Sequence, residues 1–195
     1  MHCPYCRTRL TETSPECPSC KLTLERANAL LGPVPRLTEG VSDTAGVLSK
    51  NDITRIRKAI RRLMWTFPQV QLHVMIHAFP AEHPFELHVF WVFNGGGISI
   101  ESSRGGENRT ILLAIDPRRG STALMVGYGL EPFLGEAALD HLLELSEPAW
   151  QATQWTRGIL EVIGGLDRLL EGAALEVADA FRLSALASPQ RRGEF

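Results

Sequence analysis

The chain has 195 residues, 44% of them hydrophobic and 22% charged, with a formal net charge of −2 at pH 7. This is the balance of a soluble globular protein with one real core, and it gives bulk electrostatics no pull toward nucleic acid or a membrane surface. No apolar run reaches the ~20 residues of a bilayer span and no charged-then-apolar leader opens the chain, so no membrane anchor and a cytoplasmic location are expected.

All four cysteines fall in the first twenty positions, as Cys3-Pro4-Tyr5-Cys6 and Cys17-Pro18-Ser19-Cys20. Each C-x-x-C turn offers two thiolates to one metal, and zinc wants four soft ligands in a tetrahedron, so the spacing predicts a zinc site. Disulfides are disfavoured without a secretory signal, and a redox motif would sit at a strand-to-helix junction. Cys20 and Arg26 have the spacing of a cysteine phosphatase loop, but the intervening Lys21–Glu25 has no glycine to cradle phosphate, so Cys20 reads as a ligand. A head this small cannot bury enough surface to fold alone. Bound zinc supplies on the order of 10 kcal/mol, and a closed four-thiolate site is structural because it keeps no open coordination position. Arg7, Arg9 and Lys21 flank the ligands and offset their charge.

Leu24, Ala27, Leu30 and Leu31 predict a short helix, which Gly32-Pro33-Val34-Pro35 breaks. The head with its helix is therefore placed at residues 1–31 and a stiff linker at 32–40. The body opens at residue 41. Ser49 followed by Asp52 is a capping-box start, and Ile53, Ile56, Ile60, Leu63, Met64 and Phe67 share one helical face. Arg55, Arg57, Lys58, Arg61 and Arg62 lie off that stripe and read as a solvated face, with phosphate or RNA binding as the alternative. Residues 70–76 alternate as a strand, with Leu72, Val74 and Ile76 on one face and His73, Met75 and His77 on the other. Two histidines four apart on a strand are about 13 Å apart, too far to share an ion. His83 and His88 read as helix-surface residues. Residues 84–93 form an aromatic-rich helix closed by Asn94-Gly95-Gly96-Gly97, a glycine run without the context of a dinucleotide loop.

Ile111–Ile115 is a buried strand, Asp116–Gly120 a turn, and Thr122–Val126 the second strand of a hairpin. A helix is expected over 134–147, stopped by Pro148, and another over 153–171. Gly164-Gly165 inside the latter implies close packing, since each glycine costs about 1 kcal/mol in a helix. Residues 173–195 read as a helical extension to near Leu186 and a loose tail. No internal repeat is evident.

Three segments carry a resemblance to a known family. Asp43-Thr44-Ala45-Gly46-Val47-Leu48-Ser49 resembles the D-x-A-G-x-L-S opening of TPM domains, Glu107–Leu113 occupies the place of their D-N-G-x-L-L segment, and Val126–Glu131 resembles their V-G-Y-G-L-E signature. The resemblance implies a three-layer α/β/α sandwich around a small mixed sheet over residues 41–172, here preceded by a zinc-ribbon-like head. Members of that family include thylakoid-lumen acid phosphatases, calcium binders and accessory factors, so the resemblance alone does not choose an activity. The glycine of D-N-G is Arg109 here, which fills space but, with Arg104, can also greet a phosphate.

Hairpin geometry brings Glu107 and Asn108, before the first strand, beside Gly127–Glu131, after the second. Asp116 lies at the far turn and is excluded. Asp43 joins the near end through the resemblance. The candidate is an acidic pocket of Asp43, Glu107, Asn108 and Glu131 suited to calcium or magnesium, which would polarise a phosphoryl group. The competing reading has Glu131 capping a helix near Pro132 and Asp43 making an Asx turn. Two functions stand. One is a cytoplasmic interaction or accessory protein, docking a protein partner through the zinc ribbon or the TPM surface. The other is a metal-assisted phosphomonoesterase, although no nucleophile motif is visible.

Overall fold

The computed structural model describes residues 2–10, 14–35, 37, 40–96 and 108–187. Four strands form one sheet in the order β1 (Val41–Asp43), β2 (Gln71–Ile76), β3 (Thr110–Asp116), β4 (Ser121–Val126). The first three run parallel and β4 returns antiparallel to β3. Around them lie α1 (Leu24–Leu31), α2 (Lys50–Thr66), α3 (Phe85–Gly95), α4 (Glu136–Gln151) and α5 (Trp155–Ala187).

The period-two alternation of the strands sorts the helices into two layers. Leu72, Val74, Ile76, Ile111, Leu113 and Ile115 face one core, shared with α2, α4 and α5. Met75, Leu112 and Ala114 face a second core, shared with α3 and the N-terminal head. Every residue of β3 is buried, as its unbroken apolar run requires for a strand covered on both faces. The α/β/α sandwich is therefore the architecture of this chain.

Local sequence accounts for the element that starts most cleanly. Ser49 Oγ accepts from Asp52 N at 3.2 Å while the Asp52 carboxylate accepts from Ser49 N, closing a capping box at the head of α2. Ile56, Ile60 and Leu63 then bury their side chains one turn apart.

Three expectations change. The fourth helix begins at Glu136 and runs through Pro148 to Gln151. A proline three residues from a helix end forfeits one backbone bond, and the buried Ala149 and Trp150 hold the last turn in place. The Gly164-Gly165 pair divides: a Cβ on Gly165 would collide with Leu142, whereas one on Gly164 would meet only Arg168 Nη1 at 3.9 Å. Gly158 is a close contact that periodicity does not announce, since a Cβ there would enter the Trp150 ring.

The third change concerns the head, which is not an independent tethered unit. Cys3, Cys17, Leu22 and Ala27 bury themselves in the α3-side core with Phe85, Val89 and Trp91. The segment after α1 is a strap laid on α3. A Cβ on Gly95 would stand 2.7 Å from Val34, and one on Gly96 3.0 Å from Leu37. Gly95 and Gly96, which close α3, thus form a notch for that strap. Arg7 pairs with Glu86 and the Tyr5 ring lies 6.4 Å from His83, tying the first knuckle to the start of α3. Among the described residues, no helix is long and apolar enough to cross a membrane.

Candidate metal centre and the two ends of the sheet

The two C-P-x-C segments fold as copies of one knuckle. Cys3 N donates to Thr8 O at 2.9 Å and Arg7 N to Cys3 O at 3.0 Å; fourteen positions on, Cys17 N donates to Leu22 O at 3.1 Å and Lys21 N to Cys17 O at 2.9 Å. In each copy the residue after the second cysteine takes positive φ, 63° at Arg7 and 58° at Lys21. That left-handed residue turns the chain back so that both sulfurs of a knuckle point inward.

The four sulfurs lie within 4.8 Å of one another. Cys3 Sγ is 3.6 Å from Cys20 Sγ and Cys6 Sγ is 3.5 Å from Cys17 Sγ. A disulfide is about 2.05 Å long, so these are not bonded pairs. A tetrahedron with metal–sulfur bonds of about 2.3 Å has edges of about 3.8 Å, which matches. The close pairs cross between knuckles, as they must for one ion to hold both. Without a cation the four thiols cannot share charge. Contacts with Thr8 bring Cys6 down to about 6, while burial pushes Cys20 up to about 12. A divalent ion removes that conflict by neutralising the thiolates together. Among the described residues this is the one group of three or more His, Cys, Asp or Glu side chains able to hold a metal ion. Lys21 is engaged by Glu16 and Arg7 by Glu86, so these flanking cations bind carboxylates of the chain itself.

The expected acidic pocket does not assemble as drawn. Asp43 pairs with Ile76, and Ile76 with Ile115, so Asp43 sits where the parallel strands finish. Asn108 and Glu131 sit where β3 starts and β4 ends, about 20 Å away along the strand. The parallel β1–β2–β3 arrangement sets this separation, because it puts the residue ending β1 beside the residue ending β3. Both Asp43 oxygens are used locally: Oδ1 accepts from Gly46 N at 2.8 Å and Oδ2 from Leu48 N at 2.7 Å. Asp43 makes an Asx turn that shapes the entry to α2.

The hairpin prediction is met at the other end. Asn108 O accepts from Gly129 N at 2.9 Å, and Gly127 N donates to Thr110 O at 2.9 Å. Asn108 Oδ1 accepts from Thr110 N at 3.1 Å, so the carboxamide serves its own strand. A Cβ on Gly127 would collide with Asn108 O, which explains that glycine by close packing. Glu131 is exposed on a run of turns ahead of α4, whose N-cap is Gly135, so it does not cap that helix. Arg109 is partly buried before β3. Glu107 and Arg104 lie outside the described residues.

The end of the sheet that carries Asp116 holds the denser polar network. Asp116 is 0% exposed. Its Oδ1 accepts from Arg118 N at 2.9 Å and Arg119 N at 3.3 Å; its Oδ2 accepts from Phe79 N at 3.2 Å and stands 3.4 Å from Arg119 Nε. Arg119 also donates to His83 O at 3.0 Å and to Pro80 O. Asp116 and Arg119 thus pin the loop that leads into α3, the helix carrying the head. His77 Nδ1 lies 2.6 Å from Thr44 Oγ1. His88, expected on the helix surface, is 1% exposed, with Nε2 donating to Pro80 O at 3.2 Å. Burial lowers the pKa of both His77 and His88, keeping them neutral. The signal for this cluster was an aspartate directly before proline at the end of an apolar strand; a turn explained it too easily.

Comparison with known proteins agrees with this architecture. The family model described as TPM domain matches residues 41–169. No curated protein matches the sequence. Among solved structures, the N-terminal domain of a protein from P. gingivalis, determined by solution NMR, is 21% identical, with a TM-score of 0.55 over 68% of this chain and 82% of that one. The N-terminal domain of the cg2496 protein from Corynebacterium glutamicum, also from NMR, is 19% identical with a TM-score of 0.48, over 83% of this chain and 86% of that one. At these identities the first likeness speaks to fold alone.

Proposed function

Because the chain belongs to the TPM-domain family through residues 41–169, we propose that it is a zinc-closed interaction or accessory module built on that fold, working in a reducing compartment such as the cytoplasm. The observation that carries this reading is the sulfur tetrahedron: four thiols within 4.8 Å, with no fifth protein ligand grouped with them among the described residues. Four sulfur ligands favour zinc over the hard cations, and a fully thiolate shell leaves no position for substrate. The zinc is structural. It fixes the face of the head against α3, so that head and TPM body present one continuous surface to a protein partner.

The phosphomonoesterase alternative needs a divalent ion among Asp43, Asn108, Glu131 and Glu107. Asp43 stands at the opposite end of the sheet, and Asn108 is spent on its strand. Asn108 and Glu131 alone are too few oxygens for calcium or magnesium, which take six or more ligands. Hard-cation or phosphate binding by the sequence candidates Glu107, Arg104 and Arg109 is therefore the weaker proposal.

Elemental analysis of the purified chain tests the principal reading, with about one zinc per chain expected. Cys17→Ser should lose the metal and the compact head, seen as fast amide exchange over residues 2–31 and along α3. A wild-type chain without zinc, or with a metal content unmoved by Cys17→Ser, would refute the reading. Hydrolysis of a generic phosphate ester with and without calcium or magnesium tests the alternative; no turnover above buffer is expected.

A further inference from the structure

The net charge of −2 conceals a separation of charge within one layer. Helix α2 carries six basic residues, Lys50, Arg55, Arg57, Lys58, Arg61 and Arg62, against one acid, Asp52. Helix α4 carries Glu136, Asp140, Glu144 and Glu147 and no lysine or arginine. These are the two outer helices of the layer: α2 packs on β1 and β2, α4 on β4, and α5 runs between them, touching both. At 100° per residue, Lys58 and Trp65 lie on the crown of the exposed face of α2, with Arg61 and Arg62 on either side. Trp65 is 87% exposed. Among the described residues, nothing accounts for a large aromatic ring held out to water inside a frame of cations.

The levels of the two flanks can be read through α5. Arg55 lines a groove with Glu161, and Arg62 lines one with Asp167, so α2 and α5 run in the same direction. Gly158 is packed on Trp150 and Gly165 on Leu142, so α4 runs the opposite way. Through Glu161 and Asp167, Arg55 therefore stands level with Glu147 and Arg62 level with Asp140. Lys58, between them, stands level with Glu144. A twofold axis laid along α5 keeps every height and exchanges the flanks. It carries α2 of one copy over α4 of another, and the reverse, so Arg55, Lys58 and Arg62 each meet an acid at their own level. By the same count Trp65 arrives at Ala137, whose small side chain leaves room for an indole. Gly164, where an added Cβ would meet only Arg168 Nη1 at 3.9 Å, lies on α5 near the axis.

We propose that the α2–α5–α4 layer is the interface of a twofold homodimer, in which Arg55, Lys58 and Arg62 of each copy face Glu147, Glu144 and Asp140 of the other. The occupant is a second copy and not a polyanion, because the chain itself supplies the complementary stripe at matching heights. It is not a bilayer, because α2 buries its apolar stripe in its own core and keeps only Trp65 outside.

Sedimentation velocity of the full chain tests this. The wild type should be dimeric at low salt and should loosen as salt screens the pairs. Lys58→Glu with Arg62→Glu, and separately Asp140→Lys with Glu144→Lys, should each weaken self-association at least about tenfold, since like charges then face each other at both contacts. All four positions are exposed, and circular dichroism checks that each variant is folded. Mixing the two variants should restore the dimer, because both contacts become attractive in the mixed pair. A monomeric wild type overturns the proposal, including one that instead binds a labelled uridylate oligomer. So does a dimer indifferent to both variants, or a mixture of folded variants that stays monomeric.

Discussion

The two ends of the four-stranded sheet differ in kind. Where β3 begins and β4 ends, the chain carries its most recognisable motifs, yet the structure uses them for backbone closure: Asn108 binds Gly129 and Thr110, and Gly127 is glycine so that Asn108 can fit. Where the parallel strands finish, there is no motif beyond the Asp43 turn, yet buried Asp116 and His88 gather with half-buried Arg119 and His77 around the loop at Phe79 and Pro80. A family signature marks a backbone shape as readily as it marks chemistry. Side chains that lose their water gain by finding partners, and the topology decides where they can meet.

This contrast is easiest to break at Asp116. Asp116→Ala removes one buried carboxylate and leaves Phe79 N without its acceptor and Arg119 without its anion. Breaking a buried charged pair by one partner costs about 3–5 kcal/mol, and a loss of that size is expected by chemical denaturation. Asp116→Asn, which keeps an acceptor oxygen, should lose distinctly less. A loss below about 1 kcal/mol for the alanine would mean that the network is decoration and that the two ends are alike.

The opposite end is probed by Gly127→Ala, where the added methyl would collide with Asn108 O. Overpacking at a rigid contact costs about 1–3 kcal/mol, and the same variant should speed amide exchange at Gly129 and Thr110. Unchanged stability would show that Asn108 can yield, and the close approach would need another explanation.

How much of this was legible beforehand follows from the range of each interaction. Local devices could be read directly: the Ser49–Asp52 capping box, the alternation that divides Leu72 and Val74 from Met75, and the C-x-x-C spacing all lie within a few residues. What was missed depended on strands that meet only in three dimensions. Placing Asp43 with Glu131 required knowing that β1 pairs with β2 in parallel, which no residue near Asp43 records. The docking of the head on α3 required seeing that Gly95 and Gly96 make room for Val34 and Leu37, sixty residues apart in sequence. His88 carries no readable signal of burial because a helix covered over most of its surface is not amphipathic: α3 buries seven of its residues, His88 among them.

The histidines sharpen the comparison through pH. Burial lowers the pKa of His88, and Arg119 and His83 nearby oppose its protonation, while the Pro80 carbonyl and Asp116 favour it. His77 is lowered by burial too, against Asp116. Below about pH 6.5 the unfolded chain binds protons at these positions that the folded chain refuses, so stability is complete above that pH and falls beneath it. The unfolding midpoint should therefore drop as pH is lowered through 6.5, and His88→Phe should flatten the slope. A midpoint that rises on acidification would contradict the burial of a neutral imidazole.

The smallest effect is expected at Glu131, the acid in the best-matched motif. It is exposed, it does not cap α4, and Asp43 is a sheet's length away. Glu131→Gln should move stability by no more than about 0.5 kcal/mol, the range of surface substitutions remote from special features. Calcium or magnesium should not shift the melting temperature of either protein, because a cation can stabilise the fold only by binding the folded state more tightly than the unfolded one. If either ion raises the wild-type midpoint and Glu131→Gln abolishes that rise, the end of the sheet that looks structural holds an ion after all, with Glu107 the first residue to test beside it.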